Sequence, residues 1–419
     1  RDTAQQNSYV TIPRAANSFD NTEIAANVDE DIIDSLTGGR LVGSVTSFEN
    51  FAECPLRYYL RYGVDLKERE EFTFSPVNFG VVLHAVIREV CDEIKKNGES
   101  YYLISEEKRR EMVKRSVAAI TDIYQNSILK DSSRNSFMIK RMEDLADRTV
   151  WAMGEQLKCG DFVPFVFEHK FNMEVGDGDR KQLMSGTIDR VDICENGTDV
   201  YVRIIDYKTG KKDFNIVKTY YGIDIQLMVY MEAAMKLVAK MRPGKNVIPA
   251  GVFYYNISDP IVSATTESAE EIEDKIKGEL RLKGMVNSDK DIAEKMDNTE
   301  GTSLNIPVSR KADGGFDSRR SKVMNTEQFN ILGRFVDVRA IDTADRIAGG
   351  DIRRSPYKDG QFSSCDRCPY GAVCGFSVDL PGCNYRKLKK FDDEVLWNNI
   401  KEGVDENGKK MDTGAEERD

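Results

Sequence analysis

Four cysteines and a short run of acids with a lysine carry the chemistry legible in this chain. Cys365-Asp-Arg-Cys368 and Cys374 form a C-x₂-C-x₅-C run, and Cys54 stands far upstream in Phe51-Ala-Glu-Cys54-Pro-Leu-Arg-Tyr-Tyr. Thiolates at this spacing suit a metal centre, and an iron–sulfur cluster or zinc would accept the same four ligands. Cys383, shortly after the run, is a spare candidate. Between the two groups lie Gly186-Thr-Ile-Asp189-Arg-Val-Asp192 and Ile205-Asp206-Tyr207-Lys208-Thr-Gly. Asp206 and Lys208 are two apart on a strand, so both side chains leave one face. Asp189, on the preceding strand, converges with Asp206. Two carboxylates in one cleft repel each other, and a hard divalent cation, Mg²⁺ or Mn²⁺, relieves that repulsion. Such an ion activates water and stabilises charge on a phosphodiester, while Lys208 would orient the water and balance negative charge. The chemistry indicated is metal-dependent phosphodiester cleavage.

The elements around these residues follow from periodicity. Lys181 to Ile193 and Asp199 to Tyr207 read as two strands joined at Asn196-Gly197, a favoured hairpin turn. On a regular strand Asp189 and Asp192 face opposite ways, so only one of them should meet the metal. Phe162 to Phe171 reads as a strand whose Glu168 could add a carboxylate. A helix from about Ile223 to Met241 places Gln226 and Tyr230 on one face. Another runs from Gly80 through His84, with Leu83, Val86, Ile87 and Val90 on its apolar side. A helix opens near Ser47, the expected N-cap, and ends at Cys54. Residues 105–157 read as helices, Gly251 to Ile257 as a strand, and Thr326 to Ala348 as a long amphipathic helix.

Bulk properties narrow the class. The chain has 419 residues, 40% hydrophobic and 31% charged, with net charge −11, ordinary for a globular protein with a large core. No stretch reaches the ~20 apolar residues that span a bilayer, and the N-terminus carries no secretory signal pattern. Clustered cysteines without such a signal indicate a reducing compartment, the cytoplasm, where they serve as metal ligands rather than disulfides. Cys91, Cys159 and Cys194 read as buried structural thiols. The acidic total argues weakly against a general basic coat for DNA, but basic stretches occur locally at Lys208 with Lys211 and Lys212, at Arg319-Arg320 with Lys322, and at Arg353-Arg354 with Lys358. Residues 1–43 read as a polar linker or the truncated edge of an upstream domain, and the start without Met as that of a fragment. Residues 44–390 form the main domain, 258–325 a charged surface insertion within it, and 391–419 a charged C-terminal tail.

Gly186-Thr-Ile-Asp189-Arg, Asp206-Tyr-Lys208-Thr-Gly and Gln226-x₃-Tyr230 resemble the RecB-type branch of the PD-(D/E)XK nucleases. Thr46-Ser-Phe-Glu-x₃-Glu-Cys54-Pro-Leu-Arg-Tyr-Tyr and Asn78-Phe-Gly80-x₃-His84 resemble its iron–sulfur form. Gly251-Val-Phe-Tyr-Tyr-x₂-Ser-Asp-Pro, Leu282-Lys-Gly-Met-Val-Asn-Ser-Asp and Asn384-Tyr-Arg are similar to the C-terminal region of the AddB-type components of bacterial ATP-dependent helicase–nucleases.

The resemblance implies an α/β fold with a restriction-endonuclease-like core, a central mixed sheet flanked by helices, with helical additions and an iron–sulfur clasp. It implies a [4Fe–4S] cluster on Cys54, Cys365, Cys368 and Cys374. It implies catalytic Asp189, Asp206 and Lys208, with Gln226 and Tyr230 matching the helix motif, and His84 and the Tyr207 carbonyl assisting at the metal. It further implies an exonuclease that acts on the 5′-ended strand in double-strand-break resection, beside an AddA-type helicase–nuclease subunit on DNA. No G-x₄-G-K-[ST] loop occurs, so ATP hydrolysis is not expected. A non-cleaving DNA-binding scaffold and a free-standing exonuclease are the alternatives.

Overall fold

The computed structural model describes residues 27–29, 42–67, 76–123, 133–175, 182–263, 267–380 and 382–416. Most of the expected linker 1–43 lies outside these residues, and Val42 and Gly43 already belong to a strand.

Strand β1 (Val42–Ser44) runs straight into helix α1 (Val45–Glu53). The cap is Ser44, whose Oγ accepts the Ser47 N–H at 3.1 Å. Ser47, the expected cap, is already inside the first turn and donates back to the Ser44 carbonyl, because Ser44 is the last extended residue. After Cys54, α2 (Pro55–Tyr58) starts on Pro55, which fits the first helical position. Helix α3 (Pro76–Lys96) buries Leu83, Val86, Ile87 and Val90 against α4 (Glu106–Ile123) and α5 (Ser133–Lys158).

The sheet follows. Strands β2 (Val163–Val175), β3 (Gln182–Asn196) and β4 (Asp199–Lys208) are antiparallel neighbours, and Gly197 turns the β3–β4 hairpin at a φ of 59°. Helices α6 (Ile216–Tyr220) and α7 (Gln226–Met241) then cross over, so β5 (Asn246–Asn256) returns parallel to β4. The segment 258–325, expected as a surface insertion, does more. Its α8 (Ala269–Glu279) only half-buries Ile276 against the core, but β6 (Lys283–Asn287), α9 (Lys290–Met296) and β7 (Val323–Met324) extend the sheet and core. Leu282, Val286, Ile292, Met296, Ile306 and Val308 are buried there. Their apolar positions are spread over short elements, so no long period marks them in the sequence. Helix α10 (Thr326–Ala348) closes the core.

The mixed seven-stranded sheet has the order β1-β3-β4-β5-β6-β7, with β2 on the other edge of β3. Alternation along β4 divides the core. Tyr201, Ile205 and Tyr207 pack with α3–α5, while Val200, Val202 and Ile204 pack with α7 and α10. Past α10, strands β8 (Tyr357–Asp359) and β9 (Phe362–Ser363), helix α11 (Gly371–Cys374) and strand β10 (Arg386–Lys387) form a small lobe. The expected charged tail is instead largely α12 (Asp393–Glu416), whose Leu396 and Ile400 are buried in the α7–α10 core.

Candidate active site and cysteine cluster

The β3–β4 ladder ends where the candidate chemistry begins. Its last pair is Arg190 with Ile205, and Asp189 and Asp206 are the next residues on the two strands. Further along β3 the pairing passes to β1, at Leu183 to Ser185. Residues 186–189 therefore lie in a fork between β1 and β4. Asp189 Oδ2 accepts the Tyr207 N–H at 2.6 Å, bridging the fork with a side chain. Lys208 Nζ lies 2.6 Å from Asp206 Oδ2, as their two-residue spacing requires. From α3, His84 Nδ1 lies 3.4 Å from Asp189 Oδ1 and 4.0 Å from Glu168 Oε1. Its ring meets the buried Tyr207 ring edge-on, with centroids 5.9 Å apart. Glu168 adopts a φ of 48°, a strained value for a residue with a side chain.

The electrostatics match a cation site. Burial, then the charge of Asp189, pushes Asp206 up to about 6. The same two causes raise Glu168. Burial alone would lower His84, but its hydrogen bond to Asp189 and the charges of Asp189, Asp206 and Glu168 outweigh this and raise it. Imidazole and carboxylate atoms of His84, Glu168 and Asp189 lie within 4.8 Å of one another, donors that suit a divalent ion. Asp206 lies outside that trio, its Oδ2 ion-paired to Lys208. Asp192 is turned away: fully buried, it is ion-paired to Arg190 at 2.6 Å and to Arg203 at 2.9 Å.

Gln226 and Tyr230 meet on α7, Gln226 Nε2 donating to the Tyr230 hydroxyl at 2.9 Å. Burial, then the charge of Asp206, keeps that hydroxyl protonated. Gly186, having no side chain, leaves room for two rings. A Cβ there would lie 2.7 Å from Phe171 and 3.0 Å from Tyr230.

Sequence reasoning missed a neighbouring buried network. Glu49 Oε1 accepts the Ile225 and Gln226 N–H groups at the start of α7. Burial raises Glu49 to about 7, partly offset by the charge of Lys212. Lys212 Nζ lies 3.1 Å from Asp224 Oδ1, which also accepts the Tyr254 hydroxyl at 2.7 Å. The only sequence signals were Glu49 inside the Thr46-Ser-Phe-Glu motif and Lys212 inside a basic stretch.

None of the eight cysteines is paired in a disulfide. Cys54 caps the C-terminus of α1 and faces the small lobe. The Leu56 N–H donates to the Arg353 carbonyl, the Tyr370 hydroxyl to the Leu66 carbonyl, and Arg386 to the Ala52 and Glu53 carbonyls. Burial raises Cys54, while the N–H groups of Arg57, Ser355 and Leu56 at its sulfur oppose that rise. Burial pushes Cys365 up to about 11, and the charges of Cys54, Cys368 and Cys374 add to it. Burial likewise raises Cys374, with Cys54 and Cys368 contributing. Backbone N–H donors at the sulfurs of Cys54 and Cys374 suit thiolates held by a cationic centre. Cys383 is buried and is not among the charges acting chiefly on these three.

A mixed sheet flanked by helices, with paired acids at a strand fork and a lysine two residues on, defines an α/β fold of nuclease type. The chain belongs to the PD-(D/E)XK nuclease superfamily, whose family model matches residues 43–375. Its similarity extends to the second component, AddB, of bacterial ATP-dependent helicase/deoxyribonucleases. It is 34% identical over 399 residues to that component of the Lachnoclostridium phytofermentans enzyme, covering 93% of this chain and 34% of that protein. The counterpart from Thermoanaerobacter sp. is 33% identical over 380 residues, covering 88% of this chain and 33% of the relative. That of Clostridium acetobutylicum is 34% identical over 383 residues, covering 89% and 33%. These relatives bear out the resemblance to AddB-type components of helicase–nucleases. The chain spans about a third of the length of the curated relatives it matches. No helix among the described residues is long and apolar enough to cross a membrane.

Proposed function

We propose that this chain is the Mg²⁺- or Mn²⁺-dependent exonuclease domain of a cytoplasmic helicase–nuclease that resects DNA double-strand breaks, cutting the 5′-ended strand beside an AddA-type motor subunit. The observation that carries this reading is the placement of Asp189 and Asp206 at the β3–β4 fork, with Lys208 and His84 against them. His84, Asp189, Asp206 and the Tyr207 carbonyl would hold the metal, with Glu168 as an accessory acid. When bound, the ion would acidify a water and offset charge on the scissile phosphate. Lys208, its ammonium held by Asp206, would contribute a cation and hydrogen-bond donor at the fork. Tyr230, kept protonated and fixed by Gln226, presents a neutral donor to the developing negative charge. Cys54, Cys365, Cys368 and Cys374 would hold a [4Fe–4S] cluster that ties the small lobe to α1.

The test is degradation of end-labelled single- and double-stranded linear DNA with Mg²⁺ and without ATP, comparing wild type with Lys208→Ala. Cleavage by the wild type alone supports the proposal, and the label position reports polarity. A folded, brown wild type that binds but never cuts DNA, even with its motor partner, would instead be a scaffold.

A further inference from the structure

Away from the fork, one cavity gathers four arginines in its wall. It holds about 300 Å³ and lies between α1, α10 and the small lobe. Arg339 and Arg346 reach it from α10, and Arg353 and Arg386 from the chain around the cysteine run. Phe51 and Gly222 contribute the rest of the wall that matters here.

The acids nearby do not balance these cations. Asp342 lines the cavity 3.8 Å from Arg346. Asp351, buried behind it, takes Arg346 at 2.8 Å and Arg353 at 2.7 Å. Four guanidinium groups thus share two carboxylates. Arg339 shows the excess most plainly: its Nε is buried with no hydrogen-bond partner. The group is nonetheless held in place, 5.1 Å from the Phe335 ring centroid and 5.4 Å from that of Tyr220. Arg386 is fixed by the Ser355, Ala52 and Glu53 carbonyls. Burial, and the charges of Arg346 and Arg353, hold it below its ordinary range.

We infer that this cavity is a binding site for a phosphate group, separate from the catalytic fork. Rigid, planar guanidinium groups match phosphate oxygens in pairs, and prior immobilisation lowers the entropic cost of binding. The volume admits one phosphate with part of a sugar and excludes a duplex. A backbone phosphate of a nucleic-acid strand and a free nucleotide present the same group. An occupied cavity would brace α1, the helix that ends at Cys54, against α10.

The experiment is thermal melting of the whole chain without divalent cation, at constant ionic strength, with inorganic phosphate replacing chloride. The expected result is a saturable rise in Tm. Arg339→Gln should weaken half-saturation about tenfold, the loss of one charged donor. Asp342→Asn removes the opposing charge and should tighten binding, a gain that misfolding cannot mimic. Lys208→Ala should respond as wild type does. Displacement of phosphate by a short single-stranded oligonucleotide without terminal phosphate would assign the site to a strand, and displacement only by a nucleoside monophosphate would assign it to a free nucleotide. The inference is overturned if phosphate acts no better than chloride, if Asp342→Asn binds it no more tightly, or if Lys208→Ala abolishes the response.

Discussion

Glu49 accepts the backbone N–H of Gln226 at 3.0 Å, with the same oxygen that takes the Ile225 N–H at 2.9 Å. One carboxylate on α1 therefore caps α7, whose own N-cap residue, Ile225, offers no side-chain acceptor. The helix that ends at Cys54 is in this way tied to the helix that presents Gln226 and Tyr230. Glu49 thus adds a buried side-chain link between the helix that leads to the cysteine cluster and the helix beside the acid fork.

Glu49→Ala leaves two N–H groups buried and unpaired, a loss of about 1–2 kcal/mol in stability. Glu49→Gln keeps an acceptor oxygen and should recover most of it. In both variants divalent-cation affinity should stay near wild type, while cleavage falls in Glu49→Ala as Gln226 loosens. Urea melts and cleavage rates check this. An alanine variant as stable and as active as wild type would remove Glu49 from the account.

Asp189 and Asp192 are close in sequence and should fail differently. Asp192→Ala strands Arg190 and Arg203 in the core, at a cost of roughly 3–5 kcal/mol. Asp189→Asn should fold normally and lose cleavage together with affinity for Mn²⁺. Denaturant melts paired with metal titration separate the two. Unfolding by Asp189→Asn and silence from Asp192→Ala would reverse the assignment.

What was legible in the sequence was mostly local. The β3–β4 hairpin followed from β-branched alternation around Asn196-Gly197, and strand parity alone put Asp206 beside Lys208. Helix α10 begins and ends at Thr326 and Ala348 as its period indicates, because Asn325 and Gln328 form a capping box. What escaped depends on distance along the chain. Glu49 meets Ile225 across 176 residues, a pairing no local pattern encodes. The left-handed turn at Glu168 is imposed by its surroundings rather than by residue type. The segment 258–325 looked superficial because its sequence is highly charged, although the strands on either side of α9 complete the sheet.

Cys365→Ser tests the clasp. A cluster joining Cys54 to the C-terminal run closes most of the chain into one loop, and a cross-link over such a loop contributes on the order of 3–5 kcal/mol. The variant should lose visible absorption and iron and melt well below wild type. Loss of the absorption with an unchanged melting temperature would show that the lobe docks without a cluster.

The contact between α7 and α10 should make stability depend on pH. Burial, then a hydrogen bond with Glu232, pushes Asp337 up to about 8, with Lys236 acting the other way. In the unfolded chain the same carboxyl titrates near 4. Between about 4 and about 8 the folded state holds a proton that the unfolded state has released. The unfolding free energy contributed by this group must then fall as pH rises through that window. Asp337→Asn fixes the neutral form and keeps a donor for Glu232. Its stability should match wild type at the acid end and exceed it at the alkaline end, with a flatter profile between. Chemical denaturation across this pH range measures both curves, and parallel profiles would mean that Asp337 holds no such proton.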